Sequence, residues 1–291
     1  MKTSSLVSIF IACVLIATFS LLAAPVSAQD ETPTPDRMIP YKTVGDVELN
    51  LHVFDPKGEA PEAGRPAIIF YFGGGWSGGS PSQFYHHCRE LADLGILAMS
   101  AEYRVKSRNN TTPFECVADG KSAVRYVRIH AEELGVDPEK VLVGGGSAGG
   151  HVAACTGTIQ GLDEPGEDLQ VSSVPVAMCL FNPVIDTGPD GYGYSKLLER
   201  YEEISPVEHV RADVPPTILF HGTTDTTVPF ANAEMFEERM EAAGARCELV
   251  AYEGQKHGFF NYGRSDNEFY LDSVAKMKDF LRSLGYIGEE D

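Results

Sequence analysis

The residues best placed by type and spacing to do chemistry are Ser147, Asp225 and His257. Ser147 stands in Val141-Leu142-Val143-Gly144-Gly145-Gly146-Ser147-Ala148-Gly149-Gly150-His151. A short apolar run gives way to glycines, a lone serine, and small residues that read as a helix over 148–160. This is Gly-x-Ser-x-Gly in a strand–turn–helix setting. So sharp a turn strains the serine backbone, and strand and helix approach so closely that a Cβ at Gly145 or Gly149 would clash. The hydroxyl is lifted out of the sheet at the positive end of a helix, where a developing oxyanion is stabilised.

Serine is a poor nucleophile without a base, and the base needs an orienting group. Asp225 lies in the loop after an apolar run at 216–222, and His257 in the loop after another at 247–252. Parallel strands bring their carboxyl ends to one edge of a sheet, so the order Ser…Asp…His places the three together. Glu253 is the second candidate for the acid. His151, one helical turn past Ser147, fits a packing or capping role, and His221 an orienting role for the Asp225 loop. His86 and His87 are adjacent on a helix and point apart, against a shared metal.

A second glycine loop, Gly73-Gly74-Gly75-Trp76-Ser77-Gly78-Gly79, follows the apolar run 67–72. No Gly-Lys-Ser/Thr follows it, and its spacing is not that of a dinucleotide loop. It suits an oxyanion hole made by the N–H groups of Gly74, Gly75 and Ala148.

The positioning elements alternate. Strands are expected at 47–54 (half-buried, at the sheet edge), 67–72, 96–103, up to Ser147, 174–181, 216–222 and 247–252. Helices are expected at 82–94, 113–134, 148–160, 230–243 and 269–284. The pattern predicts an α/β fold with a doubly wound, mostly parallel sheet and helices on both faces. Residues 41–291 form a single domain, 29–40 a linker, and the aperiodic stretch 186–213 a small insertion serving as a partial lid. Arg104, after Tyr103, reads as a structural donor.

Residues 1–28 resemble a secretory signal peptide: Lys2, an apolar stretch, then Val26-Ser27-Ala28. The expected location is therefore secreted or periplasmic. The formal charge is −19; removing Lys2 from a segment without acids makes it −20. Such a chain disfavours nucleic acid and anionic membranes as partners. Five cysteines remain after residue 28 (Cys88, Cys116, Cys155, Cys179, Cys247), with no metal-site spacing; one disulfide would suit an oxidising compartment. Cys155 and Cys179 fall on apolar faces and read as core.

Together these pieces resemble the α/β-hydrolase-fold carboxylesterases, of the hormone-sensitive-lipase-like and bacterial feruloyl or acetyl-xylan esterase branches. The matching motifs are Gly73-Gly74-Gly75-Trp76, Tyr103-Arg104, the Ser147 elbow, His221-Gly222-Thr223-Thr224-Asp225 with Val228-Pro229, and His257-Gly258-Phe259. The resemblance implies Ser147 as nucleophile, His257 as base, Asp225 as orienting acid, and Gly74, Gly75 and Ala148 as oxyanion donors, with no metal or other cofactor. Phe72 stands where the family often has histidine, and residues 29–66 are too few for an N-terminal cap. An open site suits short-acyl esters or esters on polysaccharide, acetyl or feruloyl. A prolyl-oligopeptidase-like peptidase and an inactive binding protein of this fold are the alternatives.

Overall fold

The structure is a computed structural model describing residues 31–288; the leader expected at 1–28 lies outside them. Among the described residues one sheet contains β1 (Arg37–Val44), β2 (Val47–Phe54), β3 (Arg65–Tyr71), β4 (Leu97–Ala101), β5 (Val136–Gly146), β6 (Met178–Phe181), β7 (Thr217–Gly222) and β8 (Cys247–Tyr252). The strand order is β1-β2-β4-β3-β5-β6-β7-β8. β2 is antiparallel to both neighbours, and every pairing from β4 to β8 is parallel. The helices are α1 (Tyr85–Ala92), α2 (Lys106–Asn109), α3 (Pro113–Ile129), α4 (Ala131–Leu134), α5 (Ala148–Thr158), α6 (Tyr194–Leu197), α7 (Phe230–Ala242) and α8 (Glu268–Ser283).

Two expectations change at the N-terminal edge. β1 begins inside the stretch read as a linker (29–40), four residues before the expected domain start at 41. Pro40 sits there without harm because β1 is an edge strand and its register shifts between Pro40 and Lys42. The 47–54 strand is consequently interior, and Leu51 to Phe54 are all buried.

β3 shows how a continuous apolar run serves two faces. Ala67, Ile69 and Tyr71 pack with Val124 of α3, Ala153 of α5 and Phe236 of α7. Ile68 and Phe70 pack with Cys88 of α1 and Met277 of α8 on the opposite face. Helices therefore cover both faces of the parallel part, each buried large side chain contributing about 1.5–3 kcal/mol. The expected 174–181 strand contracts to β6, because only Met178–Phe181 pair on both sides; Pro175 ahead of them has no N–H to offer.

Polar groups in the core are mostly matched. Arg104 reaches Asp119 and Glu164, both at 2.7 Å, and Lys42 joins the same two acids. Arg125 holds Asp163 and Glu167. The acidic loop after α5 is thus drawn down onto α3 by cations. Among the described residues the five cysteines are free thiols, and four are buried.

His87 is an exception. It is fully buried, rings of Phe181 and Tyr270 meet it edge-on at 5.2 and 4.9 Å, and neither of its nitrogens has a hydrogen-bond partner among the described residues. Burial lowers its pKa from 6.5 to about 3, with a smaller contribution from His86. Below pH 6.5 the unfolded chain binds a proton that the folded chain refuses, so stability falls between pH 6.5 and 3. His87→Leu should raise unfolding stability by about 1 kcal/mol at neutral pH and by more at pH 5. Denaturant melts at the two pH values measure this; equal stability of both proteins at pH 5 would disprove it.

Candidate active site

The elbow between β5 and α5 forms as its glycines require. Ser147 adopts φ 55 and ψ −122, outside the comfortable region for an L-residue. A Cβ on Gly149 would lie 2.0 Å from the Tyr71 carbonyl oxygen, and one on Gly145 2.5 Å from that of Gly149. Within 141–150 every residue is buried except Ser147. The turn exposes the serine and little else.

His257, between β8 and α8, places Nε2 2.9 Å from Ser147 Oγ. Its Nδ1 lies 2.6 Å from Asp225 Oδ2. Asp225 Oδ1 accepts from the N–H groups of Thr227 and Val228 at 2.8 and 3.0 Å. Burial pushes the Asp225 carboxyl up, but hydrogen bonds from His221, His257 and the Val228 N–H outweigh it and hold the pKa well below the usual carboxylate range. The acid is therefore ionised, and it orients His257 with Nδ1–H toward Asp225 and Nε2 free to take a proton. Glu253, the second candidate, is exposed at the end of β8.

The glycine loop passes beside the serine: a Cβ on Gly73 would meet that of Ser147 at 3.2 Å. Gly74 and Gly75 take φ of +132° and +60°, conformations open to glycine. The Gly74 carbonyl accepts from the Ser77 and Gly78 N–H groups, which curls the loop. Among the described residues the N–H groups of Gly74, Gly75 and Ala148 have no backbone acceptor outside regular elements. Ala148 also opens α5, so its N–H is one that a helix leaves unpaired.

The remaining histidines take supporting positions. Buried His151 accepts from Trp76 Nε1 at 3.2 Å through Nδ1 and donates from Nε2 to the Ile204 carbonyl at 2.7 Å. Burial lowers its pKa to about 4, matching the neutral ring those two bonds require. It ties the glycine loop to the 198–204 segment. His221 Nε2 lies 3.0 Å from the Val228 carbonyl and 3.4 Å from Asp225 Oδ2, bracing the acid loop. His86 stacks on Tyr262 at 3.5 Å. Among the described residues no group of three His, Cys, Asp or Glu could hold a metal ion.

Three polar residues escape sequence reasoning. Gln83 Oε1 accepts from the Gly73 N–H at 2.6 Å, and its Nε2 donates to Asn261 Oδ1 at 2.9 Å. Asn261 Nδ2 donates to the Gly258 carbonyl at 2.8 Å, and Asn182 Oδ1 accepts from the Gly258 N–H at 2.8 Å. The histidine loop is thus clamped through Gly258 to both the glycine loop and the end of β6. Their only sequence signal is a place beside a motif or strand end.

Segment 186–213, expected as a partial lid, comprises α6 and short 3-10 turns. Lys196 Nζ donates to the Gly75 carbonyl at 2.7 Å, and a Cβ on Gly75 would lie 2.7 Å from the Tyr192 hydroxyl. The segment lies against the glycine loop.

Esterase 2 of Thermogutta terrifontis, in its apo form, is 46% identical, with a TM-score of 0.85, covering 89% of this chain and 98% of that one. The chain belongs to the α/β-hydrolase carboxylesterases. The BD-FAE family model matches residues 51–189, and the dienelactone hydrolase family model matches 192–285. Thermogutta esterase 2 has also been solved phosphonylated by sarin (44% identical, TM-score 0.85, covering 89% and 98%). An Arabidopsis thaliana protein named "Probable isoprenylcysteine alpha-carbonyl methylesterase ICMEL1" is 29% identical over 78% of this chain and 51% of its own length. Esterase LipC of Mycobacterium tuberculosis is 27% identical over 69% and 55%. The chain spans about half the length of the curated relatives it matches.

Proposed function

We propose that this chain is a serine esterase working through an acyl-enzyme. The observation carrying the proposal is the continuous path from Ser147 Oγ to His257 Nε2 at 2.9 Å and from His257 Nδ1 to Asp225 at 2.6 Å. In this reading His257 takes the Ser147 proton as Oγ attacks an ester carbonyl. Negative charge on the carbonyl oxygen is met by the N–H groups of Gly74, Gly75 and Ala148. As the C–O bond breaks, His257 protonates the leaving alcohol, and water then repeats the steps on the acyl-enzyme. The relative phosphonylated by sarin supports a reactive nucleophile in this family.

For substrate we propose short-acyl esters, including acetyl or feruloyl groups on polysaccharide, and export through the segment 1–28. Support comes from the brief cover over the glycine loop, the leader-like sequence and the BD-FAE match. Chromogenic esters from acetyl to long acyl test it: turnover should be greatest for short chains. Cleavage of proline-containing peptide substrates with no ester turnover would overturn the esterase reading in favour of a peptidase.

Gln83 acts here as a positioning residue, since its amide fixes Gly73 and Asn261 together. Gln83→Leu should lower kcat about 10- to 100-fold with KM nearly constant, as loss of alignment does. Gln83→Glu keeps the acceptor for the Gly73 N–H and should recover part of the rate. A change confined to thermal stability, with kcat untouched, would make Gln83 merely structural.

A further inference from the structure

Acids outnumber bases in this chain by 42 to 23, so most cations find a carboxylate. Among the described residues several form no ion pair, and two of these, Lys106 and Lys196, line one cavity of about 310 Å3. Gly75 and Trp76 of the glycine loop line the same cavity, which therefore shares that loop with the candidate site. Lys196 has its ammonium on the Gly75 carbonyl and 5.3 Å from the Trp76 ring centre. Partial burial and the Lys106 ammonium, in that order, lower its pKa. Two like charges are thus held near each other without a counter-charge, an arrangement an anion relieves.

A third group points the same way. Thr111 lines this cavity, and its Oγ1 is buried with no hydrogen-bond partner among the described residues. A buried hydroxyl without a partner costs free energy that a ligand oxygen would recover. Two ammonium donors and one hydroxyl donor suit the lone pairs of a carboxylate.

We propose that the cavity between Lys106, Thr111 and Lys196 is a subsite for a carboxylate carried by the ester substrate. This rests on the esterase reading and narrows its substrate class to esters bearing a negative charge on the acyl or the alcohol side. The acidic surface elsewhere repels such molecules, so the local cationic pair orients them as well as binding them.

The test compares charged and neutral esters in wild type and in the Lys106→Met/Lys196→Met double variant. For the acyl side the pair is 4-nitrophenyl hydrogen adipate and 4-nitrophenyl hexanoate. For the alcohol side it is 4-acetoxybenzoate and 4-acetoxybenzamide. The readout is the ratio of kcat/KM for the charged ester to that for the neutral one. On one side this ratio should be roughly tenfold higher in wild type than in the double variant, and should shrink as salt is added. The side showing the effect tells where the carboxylate sits. Ratios equal in wild type and variant for both pairs, with neutral esters still hydrolysed, would overturn the subsite alone. Failure of wild type to hydrolyse any of the four would overturn the esterase reading and the subsite with it.

Discussion

Ser147→Ala should lower ester turnover by roughly a million-fold, the scale on which serine hydrolases lose rate when the nucleophile goes. No other side chain in the elbow can substitute, because its neighbours from 141 to 150 are buried. The fold should persist, since alanine keeps the Cβ and, among the described residues, the His257 ring is the side chain that holds Oγ. Ser147→Gly sharpens the test. It removes the proposed nucleophile equally but relieves a φ of 55° that glycine adopts freely, so it should be about 1–2 kcal/mol more stable than Ser147→Ala. Turnover within tenfold of wild type in either variant would remove Ser147 from the mechanism.

Asp225→Asn should lower kcat by about ten-thousand-fold while leaving KM within a small factor. The isosteric amide can present an N–H where Oδ2 now accepts from His257 Nδ1, which turns the imidazole to the tautomer that cannot take the serine proton. The variant should also alter acid stability in a defined direction. The folded-state pKa of Asp225 lies below its ordinary value of 3.8, so its ionised form stabilises the protein fully above that value. That contribution is lost as pH falls from 3.8 toward the folded pKa. Asparagine has no such loss, and its stability curve should be flatter below pH 4. Unchanged kcat with an unchanged acid limb would show that Asp225 neither orients His257 nor is held ionised by it.

Much of this arrangement is legible in the sequence because its causes are local. A parallel strand covered on both faces must be apolar throughout, and 67–72 and 216–222 announce themselves that way. The close approach of β5 to α5 leaves no room for side chains, and the glycines around Ser147 record it. What stays hidden depends on distant partners. Gln83 and Asn261 meet across 178 positions, and neither residue type marks such an encounter. β1 is missed because an edge strand needs only backbone pairing; apart from Tyr41 and the Lys42 side chain its residues are half-buried or exposed, so no strong alternation betrays it. The aperiodicity of 186–213 is visible, but its seat against Gly75 is fixed by two tips, the Tyr192 hydroxyl and the Lys196 ammonium.

Trp76 is the only tryptophan in the chain. It is 1% exposed, has a positive φ of 57°, and stands between His151 and Lys196 on the loop that carries Gly74 and Gly75. Its indole is therefore an intrinsic fluorophore on the loop proposed to meet the reaction's negative charge. Histidine and lysine beside an indole both alter its emission, so movement of the 186–213 segment or arrival of an anion would be written into the ultraviolet fluorescence of the untouched protein. No label need be attached to follow the glycine loop in real time, and no other indole contributes a background.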